Sequence, residues 1–173
     1  AYGGVGEATS QRKAILRLAG AAFLALGWGA PAGAQPFTFY RAILNAASFA
    51  PRAAPNGSIA RGSIFTMFGR GLGPAEGTPA PAFPLSPSLA GVSIEVCRAG
   101  ACVAAFPLFV SASQINAVMP SNAPLGAVSL RVTFDGVAGN FSPAEVVPSC
   151  FGRFAVNSGG FGPGIVLNFA GPG

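Results

Sequence analysis

Apolar and polar residues alternate in short bursts along this chain. In GAVSLRVTFD (Gly126–Asp135), Val128, Leu130, Val132 and Phe134 fall on one side, and Ser129, Arg131 and Thr133 on the other. GVSIEVC (Gly91–Cys97) sets Val92, Ile94 and Val96 against Ser93 and Glu95, and QINAVMP (Gln114–Pro120) sets Ile115 and Ala117 against Gln114 and Asn116. SIFTMFG (Ser63–Gly69) alternates in the same way, ACVAAFPLFV (Ala101–Val110) follows Cys97 across a short turn, and VAGNFSPAEVVP (Val137–Pro148) returns after Asp135-Gly136, a hairpin dipeptide. A period of two residues puts one face of each strand in a core and the other in water. Six or seven such strands at short spacing predict a β-sandwich, and the pattern alone admits a closed barrel as the other solution.

Between the strands the composition changes. Pro51–Gly62 and Gly73–Pro87 are rich in Pro, Gly and Ala and read as loops, because proline fixes its own φ and pushes its predecessor toward extended geometry. The whole chain of 173 residues holds 25 Gly and 16 Pro, which disfavours long helices. With 51% hydrophobic residues it is far from the composition of a disordered chain.

One stretch stands apart. Gln11–Gln35 (QRKAILRLAGAAFLALGWGAPAGAQ) has a basic start at Arg12, Lys13 and Arg17, an apolar run over Leu18–Ala30, and then Ala32-Gly33-Ala34. This is the layout of a secretory signal peptide with cleavage after Ala34. The apolar run is 13 residues, while a spanning helix needs roughly 20, so no stable membrane span is expected after cleavage. The resulting organisation is 1–34 signal peptide with an upstream extension, 35–62 an N-terminal arm and linker, 63–150 the sandwich, and 151–173 a tail.

Charge narrows the function classes. From Gln35 onward there are seven Arg, no Lys and four acidic residues (Glu76, Glu95, Asp135, Glu145). The arginines are spaced singly in sequence, without the clustered basic stripe that nucleic-acid binding requires. The chain has no His and its one Lys lies in the leader, so the bases that activate Ser or Cys nucleophiles are missing. The acids occupy separate strands and turns, and only Glu95 and Asp135 are candidates to approach each other as a glycosidase pair needs. The expectation is no enzyme, no cofactor and no metal site, since three Cys without His cannot supply the usual zinc set. Phe68–Pro74 (FGRGLGP) looks superficially like a phosphate-binding glycine loop, but no Lys-Ser/Thr and no helix follow it, so its glycines read as strand-end geometry.

The three cysteines carry one clear message. Cys97 and Cys102 flank a four-residue tip (CRAGAC), suited to a cross-strand disulfide in an exported protein, and Cys150 is left over. Gln114, Asn116, Arg131 and Thr133 project from polar strand faces and are the candidate binding face, against the plainer reading of ordinary wet sheet surface. Asn56-Gly57-Ser58 and Asn140-Phe141-Ser142 match the N-glycosylation pattern, which in a bacterial-type protein is read as coincidence.

Taken in order, ILNAASFAP (Ile43–Pro51), GSIFTMFGRGLGP (Gly62–Pro74), FPLSPSLAGVSIEV (Phe83–Val96), PLFVSASQINAVMP (Pro107–Pro120) and GAVSLRV (Gly126–Val132) resemble an uncharacterised domain family found at the C-termini of exported soil-bacterial proteins. That family in turn is similar to IPT/TIG immunoglobulin-like domains. The resemblance covers Ile43 to Asn168 and implies an all-β, immunoglobulin-like (IPT/TIG-type) sandwich of about seven short strands after a cleaved signal helix, placed outside the cytoplasm and without assigned activity. The CRAGAC hairpin departs from the family pattern, which has a short turn without cysteines there. GIVLN (Gly164–Asn168) echoes AILN (Ala42–Asn45), as the start of a second similar unit would. The functional expectation is a non-catalytic extracellular interaction or structural module whose partners are other extracellular proteins or a surface polysaccharide. The alternatives are a carbohydrate-binding accessory domain, or the non-catalytic tail of a larger exported hydrolase.

Overall fold

The computed structural model describes residues 35–152, 154, 156 and 163–165. It contains eleven strands: β1 (Phe37–Asn45), β2 (Ile59–Ala60), β3 (Ile64–Arg70), β4 (Thr78–Pro79), β5 (Ser88–Leu89), β6 (Val92–Arg98), β7 (Ala101–Ala104), β8 (Phe106–Val110), β9 (Gln114–Val118), β10 (Gly126–Phe134) and β11 (Val137–Val147). There is no helix among the described residues. One sheet runs β1-β3-β9-β8-β4, and the other β2-β11-β10-β6-β5 with β7 also paired to β6. The sets β1-β3-β9-β8 and β6-β10-β11 reproduce the A-B-E-D and C-F-G sheets of an immunoglobulin domain, so the fold is an immunoglobulin-like sandwich. The two-sheet arrangement, rather than a barrel, is the closure adopted.

The alternating positions make the core. Phe65, Met67, Ile94, Val96, Ile115, Leu130 and Val132 are buried and belong to a single cluster between the sheets. Each such side chain contributes on the order of 1.5–3 kcal/mol of transfer free energy. Three two-residue turns (Ala90-Gly91, Ala99-Gly100 and Asp135-Gly136) place both residues at positive φ, the conformation whose twist matches the flanking strands.

The sequence reading and the structure part at three places. Residues 35–62, expected as an arm and linker, supply β1 and β2. Thr38 pairs with Gly69 and Ile43 with Met67, so residues 39–42 bulge out of the ladder with Arg41 at φ 57°. That bulge breaks the period-two pattern and hides the strand from sequence inspection. Ala101–Val110, expected to pair whole with Gly91–Cys97, divides at buried Ala105, whose N–H donates to the Ile94 carbonyl. Ala101–Ala104 stays on β6, while Phe106–Val110 crosses to the other sheet and pairs with β9. The count of strands is eleven rather than about seven because β2, β4 and β5 have two residues each and leave no periodicity to read. Residues 1–34, expected as a signal peptide with its upstream extension, and most of the echo at Gly164–Asn168 lie outside the described residues.

Candidate functional site

The four polar residues singled out from sequence do not share a face. Gln114 and Asn116 stand on β9 and Arg131 and Thr133 on β10, in different sheets, with Ile115 and Leu130 turned into the core between them. They therefore point outward on opposite sides of the sandwich. Alternation predicts which residues face out, but it carries no information on which sheet a strand joins.

On the first sheet, Asn116 Oδ1 accepts hydrogen bonds from Thr66 Oγ1 and Gln114 Nε2, both at 3.0 Å. These groups floor a cleft of about 300 Å³ walled by Ile64, Leu108, Phe49 and Phe154. Thr66 is only 1% exposed although it faces away from the core, because those apolar side chains rise around it. The Ile165 N–H donates to the Phe154 carbonyl at 2.8 Å beside this cleft.

The second sheet carries more chemistry. Across its outer face run cross-strand rungs: Phe141–Arg131–Glu95, then Pro143–Ser129–Cys97–Cys102. Arg131 Nε and Nη2 both donate to Glu95 Oε2, at 3.2 and 2.8 Å, and the guanidinium lies 4.7 Å from the Phe141 ring centroid. Thr133 occupies the next rung, opposite Ser93. Glu95 is thus occupied by Arg131, while Asp135 caps the turn beside Gly91, four residues along β6, or about 13 Å away. That separation is outside the range of either glycosidase carboxylate pair.

The disulfide Cys97–Cys102 stands on this face, with Cα atoms 4.1 Å apart, and Cys150 is a free, half-buried thiol. Donor atoms of Glu95, Cys97 and Cys102 lie within 4.8 Å of one another. With both sulfurs bonded to each other neither is a thiolate, the form a metal binds. The amides of Phe68–Pro74 are engaged internally: Gly69 N–H donates to the Ser113 carbonyl and Leu72 N–H to that of Ala112.

Two adjoining clefts complete the second face. One, about 480 Å³, is lined by Tyr40, Arg41, Arg52, Pro143 and Glu145. The other, about 420 Å³, is lined by Arg52, Arg98, Ser129, Phe141 and Pro143. Arg52 and Pro143 line both, so the clefts adjoin. Tyr40 is 76% exposed and Phe141 52%, and Tyr and Phe are residue types enriched in binding interfaces. Sequence reasoning missed Tyr40, Arg41, Arg52, Arg98 and Phe141 because four different segments bring them together. The β1 bulge is decisive for two of them: it turns Tyr40 and Arg41 away from the β3 ladder toward Pro143 and Glu145 on β11.

A clamp fixes that bulge. Thr38 N–H donates to Asn140 Oδ1 at 2.8 Å, and Asn140 Nδ2 donates to the Thr38 carbonyl at 3.0 Å. Asn140 sits in a bulge of its own, between the Arg131–Phe141 and Thr133–Ala138 pairs. A Cβ on neighbouring Gly139 would lie 2.5 Å from the Pro36 carbonyl oxygen, so only glycine lets β1 run this close. The amide of the Asn140-Phe141-Ser142 sequon therefore serves the fold.

No protein-family model matches the chain, and no curated protein is similar to it. Among solved structures, the filamin domain of Lin-41 is similar at 13% identity with a TM-score of 0.31, over 53% of this chain and 84% of that domain. The assignment of an immunoglobulin-like sandwich accordingly stands on the strand order of the chain itself.

Proposed function

We propose that the chain is a non-catalytic interaction module of an exported bacterial protein, and that it makes contact through the outer face of the β6-β10-β11 sheet. The observation that carries this reading is the adjoining pair of clefts on that face, bordered by exposed Tyr40 and Phe141 and by Arg41, Arg52 and Arg98. Tyr and Arg are the side chains that most often dominate binding surfaces, because each combines a large contact area with directional hydrogen bonding. Export is supported by the leader pattern of Gln11–Ala34 and by the Cys97–Cys102 disulfide, a bond that persists in oxidising compartments. The resemblance of Ile43–Asn168 to C-terminal domains of exported soil-bacterial proteins points the same way.

The test is fractionation of bacteria expressing the full chain, alongside a Tyr40→Ala/Phe141→Ala variant. The expected result is protein beginning at Gln35, held at the surface of intact cells, with the double variant released to the medium. Persistence of residues 11–34 on a cytoplasmic protein refutes export. Equal surface retention of the double variant refutes the assigned face.

A further inference from the structure

Resting on that reading of the second sheet, we infer that its clefts bind an anionic polysaccharide, a chain of carboxylate-bearing (uronate) sugars. Four arginines border this surface: Arg41 and Arg52 in one cleft, Arg52 and Arg98 in the other, and Arg131 stacked on Phe141. Two acids share the face, and each already has a cation. Glu95 is paired with Arg131 at 2.8 Å, and Glu145 lies 4.0 Å from Arg52. Arg41 and Arg98 have no carboxylate partner among the described residues, so the surface carries uncompensated positive charge.

A guanidinium presents parallel N–H groups that match a carboxylate two-to-two, which favours a ligand carrying carboxylates at intervals. Arg98 is held at the edge of its cleft, where one of its terminal nitrogens donates to the Leu125 carbonyl. Tyr40 and Phe141 each carry a guanidinium over one ring face, Arg41 at 5.2 Å and Arg131 at 4.7 Å, and the opposite face of each ring is the flat apolar surface offered to a ligand. The axial C–H face of a pyranose ring covers such a surface while its hydroxyls and carboxylate stay directed at the rim. Ser129, on the same rung as Pro143, adds a hydroxyl to the lining of the second cleft.

The alternative anionic partner is an acidic peptide, and the topology speaks against it. One recurring way for a peptide to bind a sheet is to add a strand to an unpaired edge, where main-chain hydrogen bonds supply the affinity. Here β10 is paired on both sides, and β6 lies between β10 and the β5 and β7 segments. The outer edge of β11 meets residues 35–39 between Ala138 and Ser142 and meets β2 at Val146 and Val147, and Pro143 between them has no N–H. Beside the clefts the face therefore offers side chains and only a short stretch of unpaired backbone. That arrangement suits a ligand whose own hydrogen-bonding groups are hydroxyls and carboxylates.

The experiment is affinity electrophoresis and calorimetry of the full chain with four polymers: polygalacturonate, its methyl ester, a neutral β-glucan and poly-glutamate. Polygalacturonate is expected to bind at least about tenfold more tightly than the other three, with affinity falling about tenfold between about 0.05 and 0.3 M NaCl as the ion contacts are screened. Arg41→Gln combined with Arg52→Gln is expected to weaken it at least tenfold. Tyr40→Ala alone should weaken it without changing the salt slope, and Arg41→Lys should restore only part of the loss seen in Arg41→Gln, because it keeps charge without the fork. Arg41 and Tyr40 are solvent-exposed, and an unchanged thermal melt confirms that each variant is folded.

Equal binding of the methyl ester overturns the proposal, since the carboxylate is then unread. Equal binding of poly-glutamate overturns it in favour of an acidic peptide. If no polymer binds, yet Tyr40 and Phe141 still govern retention at the cell surface, the ligand class is refuted while the contact face stands. If both fail, the face itself is refuted.

Discussion

Replacing Asn140 with alanine tests the way this domain presents its contact surface. Asn140 exchanges two hydrogen bonds with the backbone of Thr38, at 2.8 and 3.0 Å, and Thr38 is 2% exposed. The side chain stands in for a neighbouring strand, giving β1 one rung of pairing with β11 where the two bulges meet. Truncation removes both bonds and leaves a buried N–H and a buried carbonyl without partners. A bond that is merely lost costs about 1 kcal/mol, and an orphaned buried group costs about 1–3 kcal/mol. Ser142 Oγ donates to the Phe39 carbonyl only at 3.5 Å, and Gln35 Nε2 to the Ala138 carbonyl at an exposed position, so neither replaces the clamp. The expected loss for Asn140→Ala is therefore about 2–3 kcal/mol in urea unfolding of the full chain, followed by far-UV circular dichroism. Asn140→Asp keeps the acceptor for Thr38 N–H but sets an acceptor-only carboxylate oxygen against the Thr38 carbonyl, so it should also cost about 1–3 kcal/mol. Native-state amide exchange supplies the site-specific readout: protection at Thr38 should collapse in the alanine variant and survive in the aspartate one. A cost below about 0.5 kcal/mol with Thr38 still protected refutes the clamp, because the bulge would then be held by β3 pairing alone.

Three further outcomes follow from the same geometry. Leu130→Ala, at a fully buried position on β10, should cost about 2.5–5 kcal/mol in the same assay, while Arg131→Ala one residue away should cost about 1 kcal/mol or less, since its ion pair with Glu95 is partly exposed and screened. Converting Cys97 and Cys102 together to serine should lower stability by about 2 kcal/mol, the chain-entropy value for so short a loop, with the far-UV spectrum unchanged. Arg41→Gly should raise stability by about 0.5–1 kcal/mol, because Arg41 holds φ 57° at the crest of the bulge and glycine adopts that region without steric cost; a lower melting temperature in this variant would contradict it.

What the sequence determined by itself is the local part. Alternation in Gly91–Cys97, Gln114–Pro120 and Gly126–Asp135 identified β6, β9 and β10 and their inward residues, because one buried face imposes period two on each strand separately. Asp135-Gly136 marked a two-residue hairpin, because positive φ at consecutive residues is a property of the turn alone. Cys97 and Cys102 are brought face to face by their own hairpin and needed no distant partner.

Tertiary structure decided what depends on other segments. Gln114 and Arg131 look equivalent in sequence, yet they stand on opposite faces, because sheet membership is set by pairing at long range. β1 was invisible because its bulge breaks the period, and that bulge is stabilised by Asn140, about a hundred residues away. Ala105 makes the last bond to β6, through its N–H to Ile94, and the chain then crosses to pair with β9 in the middle of an apolar run, which no local pattern encodes. Arginines that are isolated along the chain gather around one pair of clefts for the same reason. Charge clustering on a surface is a property of the folded topology, and a one-dimensional reading of single arginines has no access to it.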